Sequence, residues 1–421
     1  MPATLLDLGP GPLSGTVPVP PSKSLLHRGM TCAALAGDPA ACRVPAAPSE
    51  DIAATRRALA ALLAPPSPDA APARVDCGES GTTLRLLVPV AAALGRAAVF
   101  EGRGRLPQRP MKPYADCFAD SGAELRFPEG GAAFLPLAVS GRMRPGRYEL
   151  PGDVSSQFVS GLLLALPLLG GDSEIRLLSP LQSRPYVDMT LAVMRAFGVE
   201  AEETPDGFAI AGSQRYRAPA VPYEAEGDAS QAAFWHLANF LGSRVSISRP
   251  DPAPEPSNGG AAAPLQGDAV FPELLARLAA APAGGPAPEI DVRQVPDLVP
   301  ALAAAAAWSP AGARIVRAER LRLKESDRLA TTRAMLRAFG CAAEETPDGL
   351  SIPPGPPRPP AGRAEVDGAG DHRIAMAAAM LATRTPCRLR GAEAVAKSWP
   401  SFFRDYAAAG GRVAEAPSPT P

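Results

Sequence analysis

The chain has 421 residues, a formal net charge of −1, 46% hydrophobic residues, 39 Gly and 51 Pro. That length exceeds one ordinary core, so two domains are expected. The apolar content excludes a disordered chain, and the near-zero charge argues against a nucleic-acid-coating surface. Six cysteines (Cys32, Cys42, Cys77, Cys117, Cys341, Cys387) stand at least ten residues apart with no C-x-x-C pair. They read as free thiols of a cytoplasmic protein, with no zinc site. No signal peptide and no membrane-spanning run are expected.

The first sharp stretch is Pro20 to Arg28, Pro-Pro-Ser-Lys-Ser-Leu-Leu-His-Arg, which runs into an apolar helix. Prolines stop a strand, and Ser22 or Ser24 can cap the helix that follows. A helix start with free amides and a positive dipole end suits an anion. Lys23 and Arg28 add charge there, and His27 is a candidate third donor. Only four lysines occur: Lys23, Lys112, Lys324 and Lys397. Since Arg supplies the other cations, a retained Lys suggests a compact point charge or a proton carrier.

Further along, residues 194–210 (MRAFGVEAEETPDGFAI) and 336–352 (LRAFGCAAEETPDGLSI) share twelve of seventeen positions at an offset of 142. Each copy reads as a helix stopped by Gly198 or Gly340, then a strand, a Pro-Asp-Gly turn and a second strand. Weaker copies of the helix fall at 113–122 and 402–410, with 50–64 and 271–281 completing a set of six. A second helix type alternates with it, starting near Ser24, Thr82, Ser155, Asp228, Asp297 and Asp371. These helices are Ala- and Leu-rich all round, hence buried, and each begins at a residue able to cap it. The expectation is an α/β chain of six units, three per domain. The buried helix N-termini are expected to converge on a cleft between halves, with a hinge near 223–227. Segments 251–264, 281–288 and 353–363 read as loops, and the tail from 415 as frayed.

The polar motifs sit at the helix starts. Asp76-Cys-Gly-Glu-Ser-Gly-Thr-Thr-Leu-Arg85 opens one with glycines that allow close backbone approach. Gln108-Arg109-Pro110 is a basic turn, and Ser155-Ser156-Gln157 opens the third buried helix. Ser183-Arg184-Pro185-Tyr186 precedes the first copy of the repeated helix, and Glu226–Ser230 sits at the hinge. The second half carries Asp297, Lys324-Glu325-Ser326-Asp327-Arg328 at the start of the repeated helix, Asp371-His372-Arg373, and Lys397. Singly, each is explained by capping or by an ordinary solvated turn.

Together, in this order and over nearly the whole length, these motifs resemble the 5-enolpyruvylshikimate-3-phosphate synthase family. The resemblance implies a two-domain inside-out α/β barrel of six repeats. One domain would be 22–225; the other, 1–21 with 226–421. It implies transfer of enolpyruvate from phosphoenolpyruvate to the 5-hydroxyl of shikimate 3-phosphate, with no cofactor and no metal. The partners would be these small molecules, with no nucleic acid or membrane, and a monomer is expected.

By resemblance, Lys23, Ser24, Arg28, Ser155, Ser156, Gln157, Ser183, Tyr186, Asp297 and Lys324 hold shikimate 3-phosphate. Lys23, Gly81, Arg109, Gln157, Arg328, His372, Arg373 and Lys397 surround phosphoenolpyruvate. Asp297 would accept the hydroxyl proton, Glu325 would protonate C3 and later remove a proton, and Lys23 would assist the departing phosphate. Glyphosate would occupy the phosphoenolpyruvate place, against the bare backbone of Gly81. Glu79, His27 and Arg320 depart from residues common in the family. The rivals are the sister transferase acting on UDP-N-acetylglucosamine, an RNA 3′-phosphate cyclase and a non-catalytic sugar-phosphate binder. Gln108 before Arg109, together with Ser-Ser-Gln, disfavours the first.

Overall fold

The computed structural model describes residues 4–65, 71–129, 133–248, 264–355 and 357–416. Most of the loop read at 251–264, and the end of the tail, lie outside the described residues. Contacts divide the chain into two compact units. One is Pro21–Glu226; the other joins the residues up to Pro20 to those following Gly227 and Gln266.

Two helix types alternate along the chain. The buried type is α1 (Lys23–Leu35), α3 (Gly81–Leu94), α5 (Ser156–Ala165), α7 (Ala229–Phe240), α9 (Val299–Ala306) and α11 (His372–Ala382). In α9, every residue is buried, as an unbroken Val-Pro-Ala-Leu-Ala run requires. The half-exposed type is α2 (Glu50–Leu63), α4 (Lys112–Cys117), α6 (Arg184–Ala196), α8 (Phe271–Ala280), α10 (Arg328–Ala338) and α12 (Phe402–Ala408).

In the Pro21–Glu226 unit, one sheet is β3 (Ala73–Asp76), β4 (Ala98–Glu101), β6 (Leu137–Gly141) and β5 (Ala123–Arg126). The next is β7 (Arg147–Leu150), β8 (Ser173–Leu177), β10 (Gly207–Ile210) and β9 (Glu202–Thr204). Both follow one rule: the first pair is parallel, and the next two are antiparallel. The other unit repeats it in β12 (Glu289–Asp291), β13 (Ala313–Val316), β15 (Gly349–Ile352) and β14 (Glu344–Thr346).

Its last sheet is β16 (Ala364–Asp367), β17 (Cys387–Arg390), β1 (Leu5–Gly9) and β18 (Arg412–Glu415). Here the N-terminal strand takes the place that the fourth strand holds elsewhere. Leu6 and Leu8 point into the core, while Asp7 faces its register partner Arg388 at 2.7 Å. β2 (Ser14–Pro18) and β11 (Arg244–Ser248) form a parallel pair in the same unit. Each unit has its own apolar core.

The 17-residue repeat has a packing reason. Gly198 and Gly340, which follow its two helices, both take positive φ. Its turn glycines, Gly207 and Gly349, lie against the carbonyls of Ile175 and Ile315, where any Cβ would collide. The same hairpin thus closes on the same neighbour strand in both units.

Capping follows expectation at four buried helices: Ser22 caps α1, Ser155 α5, Asp228 α7 and Asp371 α11. Two expectations are corrected. Ser80, not Thr82, caps α3. Asp297 caps nothing: it sits in a 3-10 turn, Pro296–Leu298, and α9 starts at Val299 without a side-chain cap. Its carboxylate is drawn to three cations instead. Among the described residues, no helix is long and apolar enough to cross a membrane.

Candidate active site

In the Pro21–Glu226 unit, the candidate residues gather at the starts of α1, α3, α5 and α6. Lys23 opens α1 and pairs with Asp51 of α2 at 2.7 Å. Arg28, one turn on, is 1% exposed. Its guanidinium donates to Ser24 O at 2.7 Å, Tyr186 O at 2.8 Å, Thr190 Oγ1 at 2.6 Å and Ser160 Oγ at 3.2 Å. It therefore braces α1 against α5 and α6 and fixes the backbones of two other candidate residues. Burial pulls its pKa down to about 10, which still leaves it charged at neutral pH.

Gln157 accepts from Arg85 Nη1 and donates to Thr82 Oγ1, both at 2.8 Å, so the starts of α3 and α5 are tied together. Ser155 caps α5, and Ser156 is buried at its first turn. Ser183 is buried with φ 55, a left-handed conformation that costs a non-Gly residue energy and is found at functional positions. Tyr186 N donates back to its carbonyl at 3.0 Å.

Gly81 is not bare. A Cβ there would stand 2.5 Å from Arg109 Nη1 and 2.6 Å from its Cζ, so the Arg109 guanidinium covers that glycine. This corrects the expectation of open space over the backbone, and it brings two candidate residues into contact.

The other unit holds an ionic cluster. Asp297 meets Arg328 Nη1 at 2.9 Å, Lys324 Nζ at 3.4 Å and Arg373 Nη2 at 2.9 Å. Arg328 is 1% exposed and also meets Glu325 Oε2 at 2.5 Å and Asp371 Oδ2 at 2.9 Å. Burial alone would raise the Asp297 pKa. Arg373, Lys324 and Arg328 overcome that and hold it well below 3.8. Burial likewise disfavours charge on Arg328, but Asp371, Glu325 and Asp297 raise its pKa and keep it cationic.

The sequence reading began the repeated helix at Lys324, but Lys324–Ser326 are not helical: α10 starts at Arg328, capped by Asp327, and Lys324 ends a 3-10 turn. His372 and Arg373 are buried at the start of α11. Lys397, in a 3-10 turn, is buried and donates to Gly370 O at 2.7 Å. His27 is no cationic donor: burial, with Lys23 and Arg28 nearby, drives its pKa well below 6.5. Of the other departures, Arg320 donates to Arg293 O at 2.5 Å, and the Glu79 carboxyl packs over Gly104.

A depressed carboxylate has a definite pH consequence. The stability that Asp297 contributes is fully present above its unfolded value of 3.8 and is lost as pH falls through its lower folded value. The denaturant-measured stability gap between wild type and Asp297→Asn is thus expected to narrow below pH 4. A gap that stays constant would show that the charge is not what matters.

Sequence reasoning missed Arg85, Asp51 and Asp268. Arg85 is a single cation inside the apolar α3, a mismatch that marks it; it stacks over Phe158 at 5.0 Å. Asp51 looks like an ordinary first-turn acid. Asp268 accepts from Ser230, and burial with Asp297 nearby raises its pKa to about 6 despite Arg373.

The fold is shared with known enolpyruvyl transferases. An EPSP synthase structure from Acinetobacter baumannii matches over 98% of this chain and 100% of that one, with TM-score 0.70 and 23% identity. The enolpyruvyl transferase NikO from Streptomyces tendae matches over 99% and 100%, with TM-score 0.72 and 17% identity. At those identities the likeness shows fold alone. The sequence goes further. The family model for EPSP synthase (3-phosphoshikimate 1-carboxyvinyltransferase) matches residues 8–406. A 3-phosphoshikimate 1-carboxyvinyltransferase from Clostridium acetobutylicum is 36% identical, covering 97% of this chain and 98% of the relative. One from Clostridioides difficile is 35% identical, covering 97% and 98%. The chain belongs to the EPSP synthase family.

Proposed function

We propose that this chain transfers the enolpyruvyl group of phosphoenolpyruvate to the 5-hydroxyl of shikimate 3-phosphate, releasing phosphate, in the route to aromatic amino acids. Family membership supports the reaction. The observation that carries the chemistry is Arg328 holding two carboxylates, Asp297 and Glu325, among further cations.

The substrate oxygen adds to C2 while C3 takes a proton; the adduct then expels phosphate as C3 gives a proton back. Asp297 takes the hydroxyl proton. Its low proton affinity among three cations rises when substrate anions draw those cations away. Glu325 gives and removes the C3 proton, a two-way role suited to a carboxyl at a cation. Arg328, Arg373, Lys397, Lys23 and Arg109 with Gly81 bind phosphoenolpyruvate, alongside His372 and Gln157. Ser24, Ser155, Ser156, Gln157, Ser183, Tyr186 and Lys324 bind shikimate 3-phosphate, with Arg28 bracing Ser24 and Tyr186.

Phosphate release from phosphoenolpyruvate, with EDTA present, tests this directly. It is expected with shikimate 3-phosphate and not with UDP-N-acetylglucosamine or RNA. Equal release with the UDP-sugar would refute the assignment.

Two expectations concern the cations. Lys23 pairs with Asp51, and Lys397 donates to Gly370 O, both at 2.7 Å. Lys23→Arg and Lys397→Arg should each lower kcat at least about tenfold, the scale of lost acid–base assistance. Lys112→Arg, whose exposed partner is Asp116, should be mild. Three equal effects would remove the argument from lysine scarcity. Gly81→Ala should push the Arg109 guanidinium aside and raise KM for phosphoenolpyruvate about tenfold, as weakening one charged hydrogen bond does. An unchanged KM would mean that Arg109 does not act from its place over Gly81.

A further inference from the structure

A chain of buried hydroxyls starts at His27 and ends at the first residue of the α3 cap. His27, 1% exposed on α1, lies one turn after Lys23. Its Nδ1 is 2.7 Å from Thr55 Oγ1 of α2. Thr55 Oγ1 is 2.6 Å from Thr83 Oγ1 of α3. Thr83 Oγ1 donates to Ser80 Oγ at 2.8 Å, and the same oxygen accepts from Thr83 N at 3.2 Å to cap the helix. Thr55, Thr83 and Ser80 are at most 2% exposed. Serving only as stabilising bonds, these contacts would need no histidine. Among the described residues, His27 Nε2 is buried without a hydrogen-bond partner, an arrangement that normally costs stability.

Counting protons decides the direction of the chain. Each hydroxyl has one proton to give. Thr83 gives its proton to Ser80, so Thr55 must supply the 2.6 Å bond to Thr83, with Asp51 O, 3.2 Å from the same hydroxyl, as its longer alternative acceptor. Thr55 then has no proton left for His27, and the imidazole must donate through Nδ1–H. Nε2 is therefore the bare nitrogen, which needs a partner less than an N–H would. The neutral state agrees: burial, Lys23 and Arg28 all oppose protonation. In the opposite tautomer, Thr55 would donate to Nδ1 and Thr83 to Thr55, and Ser80 would have to turn its own proton back to Thr83. With the chain running outward, Ser80 receives two bonds, and its own proton is directed away from the relay. Ser80 directly precedes Gly81, which the Arg109 guanidinium covers, at the N-terminus of α3 where amides and dipole favour an anion.

We propose that His27 is a positioning residue: its Nδ1–H tautomer, acting through Thr55 and Thr83, aims the Ser80 hydroxyl at the phosphoenolpyruvate anion. The inference rests on the reaction proposed above. His27 touches no substrate; it orders donors that do. It acts on one substrate only, because the relay ends at α3 and not at the serines of α5 and α6.

The test has two arms on the full-length chain. Nitrogen-15 NMR of histidine-labelled protein, with His27→Asn to assign the signal, should show a neutral ring protonated at Nδ1. A ring protonated at Nε2 overturns the relay whatever the enzyme does. In the kinetic arm, His27→Leu and Thr55→Val should each raise KM for phosphoenolpyruvate about tenfold, the size of one weakened bond to a charged group. KM for shikimate 3-phosphate should stay within about twofold, because the relay does not reach its ligands. His27→Asn should restore near-wild-type behaviour, since its amide N–H stands where Nδ1–H stood. The double variant should be no worse than either single one, because a chain is broken only once. If both KM values rise together, if Asn fails to rescue, or if the single effects add, the role is merely structural. Thr55→Val decides the matter should His27→Leu not fold. Wild type that is inert with both substrates would refute the underlying reaction; normal wild-type turnover with unchanged variants would refute the relay alone.

Discussion

Glu325→Gln is expected to lower kcat by about 10²–10⁴-fold, the range typical of a lost general acid–base group. The substitution keeps shape and keeps an oxygen able to accept from Arg328 Nη2, which Glu325 meets at 2.5 Å. What it loses, in the reaction proposed above, is a proton to give to C3 and a base to take one back. Unfolding temperature and KM values should therefore change little, while kcat collapses. The contrast with Lys324, which meets Asp297 at 3.4 Å, is informative. Lys324→Met should raise KM for shikimate 3-phosphate more than it lowers kcat. A Glu325→Gln enzyme retaining more than a tenth of wild-type kcat would remove this residue from the chemistry.

The second large effect is structural. Asp371 is fully buried, accepts from Arg328 Nε at 2.9 Å, from Ser326 Oγ at 3.1 Å and from Arg373 N at 3.0 Å, and caps α11. Asp371→Ala leaves the 1%-exposed Arg328 short of its most buried counter-charge. The expected loss is about 3–5 kcal/mol, as for removing one partner of a buried ion pair. Denaturant unfolding should report it. Asp371→Asn, which keeps an oxygen for Arg328 Nε and for the cap, should lose less than Asp371→Ala. An Asp371→Ala variant as stable as wild type would contradict this account.

Much of this site can be read from residue order, and the reason is local. The buried helices are apolar all round, so a polar residue at their start stands out, and Ser22, Ser155, Asp228 and Asp371 all prove to be caps. The repeated helix and its Pro-Asp-Gly hairpin are equally visible, because Gly207 and Gly349 meet the same kind of neighbouring carbonyl. What escapes is non-local. Asp297 looks like another cap, and only the fold brings Arg328 and Arg373, 31 and 76 residues away, to its carboxylate. β1 carries no sign that its partners are β17 and β18, hundreds of residues on. His27 looks like a third donor to an anion beside Lys23 and Arg28; burial next to those same charges opposes its protonation. Gly81 looks open because the sequence does not show that Arg109 folds over it.

The central claim is that two carboxylates at one buried arginine run an addition and elimination through protonation of C3. Turnover in deuterium oxide tests it most directly. With shikimate 3-phosphate and phosphoenolpyruvate, wild type should place deuterium in the vinyl methylene of the product and of recovered phosphoenolpyruvate. No exchange should occur when shikimate 3-phosphate is omitted, and almost none with Glu325→Gln. Phosphate release that leaves the methylene free of deuterium would contradict the account.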